Sequence, residues 1–201
     1  RMVSPFPCGR PGRDGRDVDT WVTVHWRQAR THASGTPVQA VLVQNGVRAR
    51  GDAWRQHCQL QCVALGIELD GQHGEVGTSA GLGLEAAARQ SRRAAFAAEL
   101  RDGETLALAQ HLDDQAETFL LRALRSSGID GLAAMAVDST LHDHRLWRPL
   151  LHTARDALRD YAQTHALRWI EDPSNARDDA DRNFLRLHVM PLLRQRWPHA
   201  A

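Results

Sequence analysis

The stretch TLALAQHLDDQAETFLLRALRSSG, residues 105–128, runs from an apolar segment directly into a segment of helical period. A buried strand that feeds a helix with no loop between them belongs to folds in which strands and helices alternate. The same alternation recurs along the chain. VQAVLVQ (38–44) reads as a short β-branched buried strand, IELD (67–70) as a second and TLALAQ (105–110) as a third. Between them, Asp52 is placed to cap a helix that runs to Leu65 and stops at Gly66, and an Ala-rich helix spans Leu84 to Leu100. Thr153 is placed to cap a further helix to His165. LRWI (167–170) reads as a short strand or extended segment, and 182–196 as a final helix interrupted by Pro191. TWVTVHW (20–26) suits either a strand or a short helix. The expected fold is α/β, a mostly parallel sheet flanked by helices.

On the helix that follows the third strand, Leu112, Ala116, Phe119, Leu120, Ala123 and Leu124 form one apolar stripe, expected to be buried. Asp113 and Glu117 are i,i+4 neighbours on one side; Asp114, Thr118, Arg122 and Arg125 lie along another. Two readings stand. Acids in the first turn and arginines in the last complement the helix dipole, each by ~0.3–1 kcal/mol. Alternatively, the carboxyl edge of a parallel sheet is where such folds bind ligands. There Asp113, Asp114 and Glu117 would gather around a cation such as Mg²⁺, which would relieve their repulsion. His111 is either a ligand beside them or a hydrogen-bonded structural residue.

Composition removes several classes. Every basic side chain is arginine, because the chain of 201 residues contains no lysine. Walker-type NTPases, protein kinases and pyridoxal enzymes all need one. The three cysteines, Cys8, Cys58 and Cys62, offer no disulfide framework. Cys58 and Cys62 fall on an apolar helical stripe with Trp54 and Leu65, as buried small hydrophobes do. No apolar run is long enough to span a bilayer, so a soluble, cytoplasmic protein without membrane association is expected. The net charge of +1 conceals a segregation. Residues 1–50 carry eight arginines against three acids, 51–144 seven against fourteen, and 145–201 ten against seven. Basic flanks around an acidic middle suit either a polyanion-binding protein or an ordinary solvated surface.

The motifs themselves resemble a known family. HLDDQAETFLLRALRSSGIDGLAAM (111–135) is similar to the signature of the tRNA(Ile)-lysidine synthetases, which belong to the PP-loop ATP pyrophosphatase group. GLEAAARQSRRAAF (83–96) resembles that family's helix bearing Glu and Arg. LWRPLL, ALRWIEDPSN and DRNFLRLHVMPLLRQRWP follow in the family's order. From Asp52 onward the match is nearly continuous, and several unusual motifs in order make a specific signal. The resemblance implies ligation of free lysine to the wobble cytidine of an isoleucine tRNA, through a cytidine adenylated by ATP with Mg²⁺. It assigns catalysis to Asp114, Arg182 and Asp19. ATP binding falls to Asp19, Thr20, Glu85, Arg89, His111 and Asp113, and Mg²⁺ to Asp113, Asp114 and Glu117. The anticodon loop of the tRNA would meet Arg122, Arg125, Arg148, Asn183 and Arg186. Lysine is the substrate of this chemistry, so a chain lacking it loses nothing.

The family's first motif is a phosphate-gripping S-G-G-x-D-S turn, and here the resemblance weakens. GRDVDT (15–20) aligns Asp19 and Thr20 with its Asp and Ser, but Arg16 and Asp17 replace the glycines whose backbone N–H groups close on pyrophosphate. LVQNG (42–46) lacks the family's histidines, and Gln110 stands where a second His is common. Weakened ATP binding is expected. Residues 1–17, rich in Pro, Gly and Arg, read as irregular or disordered, and 18–201 as the PP-loop-like catalytic domain without the family's later tRNA-binding domains. A fragment or truncated product is therefore expected. The rivals are a decayed remnant that still binds tRNA and another adenylating PP-loop enzyme, such as a tRNA thiolase.

Overall fold

The computed structural model describes residues 2–8, 38–44, 51–73, 84–171 and 173–200. Six strands form one sheet: β1 (Met2–Cys8), β2 (Val38–Gln44), β3 (Glu68–His73), β4 (Thr105–Ala107), β5 (Asp138–Leu141) and β6 (His144–Trp147), in the spatial order β3-β2-β1-β4-β6-β5. β1 pairs parallel with both β2 and β4, β2 with β3, and β4 with β6; only β5 runs antiparallel, to β6. The mostly parallel α/β sheet expected from the sequence is present.

Helices α1 (Gly51–Leu65) and α2 (Leu84–Glu99) cover opposite faces of the sheet, and the period-2 alternation of the strands explains why. Val38, Ala40 and Leu42 of β2 face Trp54, Cys58 and Cys62 of α1, one helical stripe at i, i+4 and i+8. The intervening Val41 faces Phe96 and Leu100 with Leu106 and Leu146. Each of these large buried side chains contributes roughly 1.5–3 kcal/mol. α1 ends as its sequence dictates. Gly66 takes φ +64°, and the N–H groups of Gly66 and Ile67 donate to the carbonyls of Val63 and Cys62 at 3.1 and 2.9 Å.

Five further α-helices follow among the described residues, α3 (Leu112–Leu124), α4 (Ile129–Leu132), α5 (Arg155–Thr164), α6 (Asp181–Phe184) and α7 (Met190–Arg196), with a 3-10 turn (Pro173–Ala176) before α6 and a π-helical turn (Leu185–Val189) between α6 and α7. α5 buries Leu158 and Ala162 against Leu150, Leu167 and Trp169.

Several expectations need correction. Met2–Cys8, read as irregular or disordered with the rest of the Pro-, Gly- and Arg-rich segment 1–17, is a central strand that pairs on both sides. The rest of 1–17, and TWVTVHW, lie outside the described residues. Thr153 does not cap α5; Ala154 occupies that position without a side-chain hydrogen bond. LRWI is extended and packs through Leu167 and Trp169 without joining the sheet. The final helix is a composite of α6, the π turn and α7. The β5–β6 hairpin was not anticipated. Its strands mix polar and apolar residues, and its two-residue turn rests on a positive φ at His142 rather than on a glycine.

Candidate active site

Strand order reverses at β1, whose neighbours β2 and β4 lie to either side. In an open parallel sheet the crevice beyond the carboxyl ends of the strands at such a reversal is the natural ligand site. The segment after β1 holds Asp19 and Thr20, which lie outside the described residues. The segment after β4 is Leu108–His111, and it delivers α3 to the same edge. Glu85 and Arg89 sit in the first turns of α2, which follows β3 at that edge.

His111 is the N-cap of α3. Its Nδ1 accepts from the Asp114 N–H at 3.4 Å, while Asp114 Oδ2 accepts from the His111 N–H at 3.3 Å. The two side chains form a reciprocal capping box with His in place of the usual Ser or Thr. His111 is thus held as a structural residue, buried to 4% exposure.

The buried face of α3 is not the apolar stripe. Asp114 and Glu117 are 1% and 3% exposed, whereas Phe119 and Leu124 are 45% and 72% exposed. Arg182 of α6 makes this possible. Its Nη1 lies 3.4 Å from Asp114 Oδ1 and 3.6 Å from Glu117 Oε2, and its Nη2 donates to Thr118 Oγ1 at 3.1 Å. Asp114 and Arg182, paired in role by the family resemblance, are brought into contact across 68 positions of sequence.

Asp113 faces elsewhere. Its Oδ2 accepts the Arg155 N–H at 3.0 Å, capping α5 from another element, and its Oδ1 pairs with Arg194 of α7. Burial pushes the Asp113 carboxyl up, but the Arg155 N–H, the Arg194 hydrogen bond and the nearby positive charge outweigh it and hold it below the ordinary value. The three carboxylates therefore do not converge. Two are committed to Arg182 and one to Arg194, and among the described residues no group of three His, Cys, Asp or Glu is placed to hold a metal ion. The residues read as a Mg²⁺ cage do not fit one, because arginine supplies their counter-charge.

The arginines expected to meet RNA are also largely committed. Arg122 donates to the carbonyls of Gly131 and Ala134, both at 2.7 Å. Arg148 holds Gln110, the Ala136 carbonyl and Ser139 Oγ. Asn183 is fully buried, and Arg186 donates to its Oδ1 at 2.7 Å. Arg125 alone of this set projects outward, 69% exposed and paired at 3.2 Å with an equally exposed Asp181. Sequence reasoning missed Arg194, Thr118 and Gln115. Gln115 clamps Met135 from both sides, donating to its carbonyl at 2.8 Å and accepting its N–H at 2.9 Å. Arg194 carried no signal, since its partner lies 81 positions away.

The pattern of the PP-loop domain matches residues 16–193. The chain belongs to the PP-loop family. It is 54% identical over 184 residues to the tRNA(Ile)-lysidine synthase of Xanthomonas campestris pv. campestris (strain 8004), covering 92% of this chain and 42% of that protein. To the tRNA(Ile)-lysidine synthase of Shigella flexneri it is 49% identical over 185 residues, covering 92% and 43%. The resemblance read from the motifs is borne out, and the chain spans less than half the length of these curated relatives. Among solved structures, the U34-tRNA thiolase NcsA from Methanococcus maripaludis aligns with a TM-score of 0.70 over 99% of this chain and 68% of that one. At 16% identity that likeness shows the shared PP-loop fold alone.

Proposed function

We propose that this chain is the catalytic part of a tRNA(Ile)-lysidine synthase, joining lysine to the wobble cytidine of an isoleucine tRNA through an ATP-adenylated cytidine. The meeting of Asp114 and Arg182 carries this reading, within a chain whose identity to such synthases extends over 92% of its length. Adenylation breaks ATP between its α- and β-phosphates, and the departing pyrophosphate gains negative charge. Guanidinium groups suit that charge because their planar fork meets phosphate oxygens in pairs. Arg182 is held by Asp114, Glu117 and Thr118 beside the start of α3, the edge of the sheet proposed to receive ATP, with N–H donors to spare. Glu85 and Arg89 on α2, and Asp19 and Thr20 beyond β1, are proposed to complete the nucleotide site. ATP in such reactions carries Mg²⁺ as counter-ion.

Cysteine chemistry of the thiolase kind is not favoured. Cys58 and Cys62 are buried among apolar neighbours, and burial pushes the Cys62 thiol up to about 12, far from a working thiolate.

The test is incorporation of labelled lysine into isoleucine tRNA, run beside calorimetry with ATP. Arg16 and Asp17 stand where glycines close on phosphate, so ATP binding should be weak and should tighten when both are replaced by glycine. Tight binding by the unaltered chain would refute the weakened-site reading. Absence of lysine incorporation even after the glycine replacements would refute the enzyme.

A further inference from the structure

We propose that Asn183 and Arg186 are positioning residues for Arg182: a buckle that fixes the rotation of α6 and so aims the guanidinium at Asp114, Glu117 and Thr118. The proposal rests on the role given to Arg182 above. It replaces the expectation that Asn183 and Arg186 touch tRNA.

Asn183 is 0% exposed, so no phosphate can reach it. Both ends of its amide are used. Nδ2 donates to the Arg177 carbonyl at 2.7 Å, and Oδ1 accepts from Arg186 at 2.7 Å. The same Arg186 nitrogen donates to the Asn175 carbonyl at 3.2 Å. Residues 175–177 are thereby tied to the helix through one side chain that is entirely enclosed.

Such an anchor is needed. α6 is four residues long and passes at once into the π turn Leu185–Val189, where the backbone hydrogen bonds change register. A single turn has little rigidity of its own. Consecutive helical residues point about 100° apart, so fixing the direction of Asn183 fixes that of Arg182. On one side of α6 the buckle holds the 175–177 segment; on another, Arg182 reaches α3.

The experiment compares Asn183→Ala and Arg186→Ala, each in the unaltered chain and in an Arg182→Lys background. Lysine incorporation gives kcat and the KM values for lysine and tRNA, and nitrogen-detected NMR follows hydrogen exchange of the Arg182 guanidinium. The expected result is a fall in kcat of about 100-fold, the cost of small misplacements, with both KM values nearly unchanged. In the Arg182→Lys background the same replacements should add almost nothing, since the group they aim is already altered. Guanidinium exchange should accelerate in either single variant. A rise in KM for tRNA with kcat unchanged would show direct RNA contact and overturn the proposal, as would equal losses in the two backgrounds. If Asn183→Ala does not fold, the half-buried Arg186→Ala carries the same comparison. If the unaltered chain incorporates no lysine, the functional reading falls, while the exchange measurement still decides the buckle: unchanged exchange in both variants overturns it.

Discussion

Asp113 and Asp114 are adjacent in sequence, yet they belong to different networks. Asp114 and Glu117 share Arg182, and taking away a partner of a buried ion pair costs ~3–5 kcal/mol because a charge is left without compensation. Arg182→Ala would therefore confound loss of chemistry with loss of structure. Arg182→Lys keeps the charge and loses the planar fork. It should retain a cooperative fold by thermal melting while lysine incorporation falls at least tenfold; full activity would remove Arg182 from the mechanism. Asp113 makes a different prediction. Its carboxyl is held below its ordinary value in the folded chain, so its contribution is present above the unfolded value of about 3.9 and is lost as pH falls through the lower folded value. Asp113→Asn should cost about 1 kcal/mol near neutrality, the size of a helix cap. It should also make urea stability less steep as pH falls through and below the unfolded value. An unchanged acid limb would mean that Asp113 does not stabilise the fold.

At the scale of elements, α1 was legible from the Trp54–Cys58–Cys62 stripe and Gly66 at its stop, and α3 from the strand that feeds it. Yet α1 begins at Gly51, ahead of the expected Asp52 cap, and the apolar stripe of α3 is not its buried face. What was not legible depended on partners distant in sequence. The acidic face of α3 reads as solvated until Arg182 arrives from 68 positions away. The hairpin of β5 and β6 has weak alternation and becomes a strand pair only beside β4. The arginines show the same limit. Arg122 looked like a phosphate contact, yet with Gln115 and Arg148 it grips the backbone carbonyls of residues 131–136, a segment that includes a positive φ at Ala134. Gly131 is needed there, since a Cβ would come within 2.6 Å of Ser127 Cβ. Arg122→Ala leaves two carbonyls without their donor and should cost ~1–3 kcal/mol. Amide hydrogen exchange should then speed up locally in residues 129–135, with the β4–β6 core protected as before. Uniform protection across that segment would refute the clamp.

The whole molecule combines a sheet whose reversal point gathers β1, β4 and the start of α3 with a charge pattern that leaves the carboxyl-terminal third basic. If an anticodon loop is bound, its affinity depends on how many phosphates are neutralised by arginines able to leave their present partners. Arg122, Arg148 and Arg186 are tied to carbonyls and buried or half-buried side chains, so moving them would uncover unsatisfied groups. Arg125 and Arg196 are exposed, and the Arg125–Asp181 pair sits in water, where such pairs contribute ~0–1 kcal/mol and exchange readily. Each phosphate neutralised adds ~0.7–0.9 to the slope of log affinity against log salt. Isoleucine-tRNA binding measured over a salt series should therefore lose about one unit of slope in Arg125→Ala or Arg196→Ala. Arg122→Ala and Arg148→Ala should leave the slope unchanged even where they weaken binding through lost structure. Flattening in Arg122→Ala, with no effect in Arg125→Ala, would mean that RNA displaces the clamp and that the anticodon loop lies against residues 129–136 instead of the exposed end of α3.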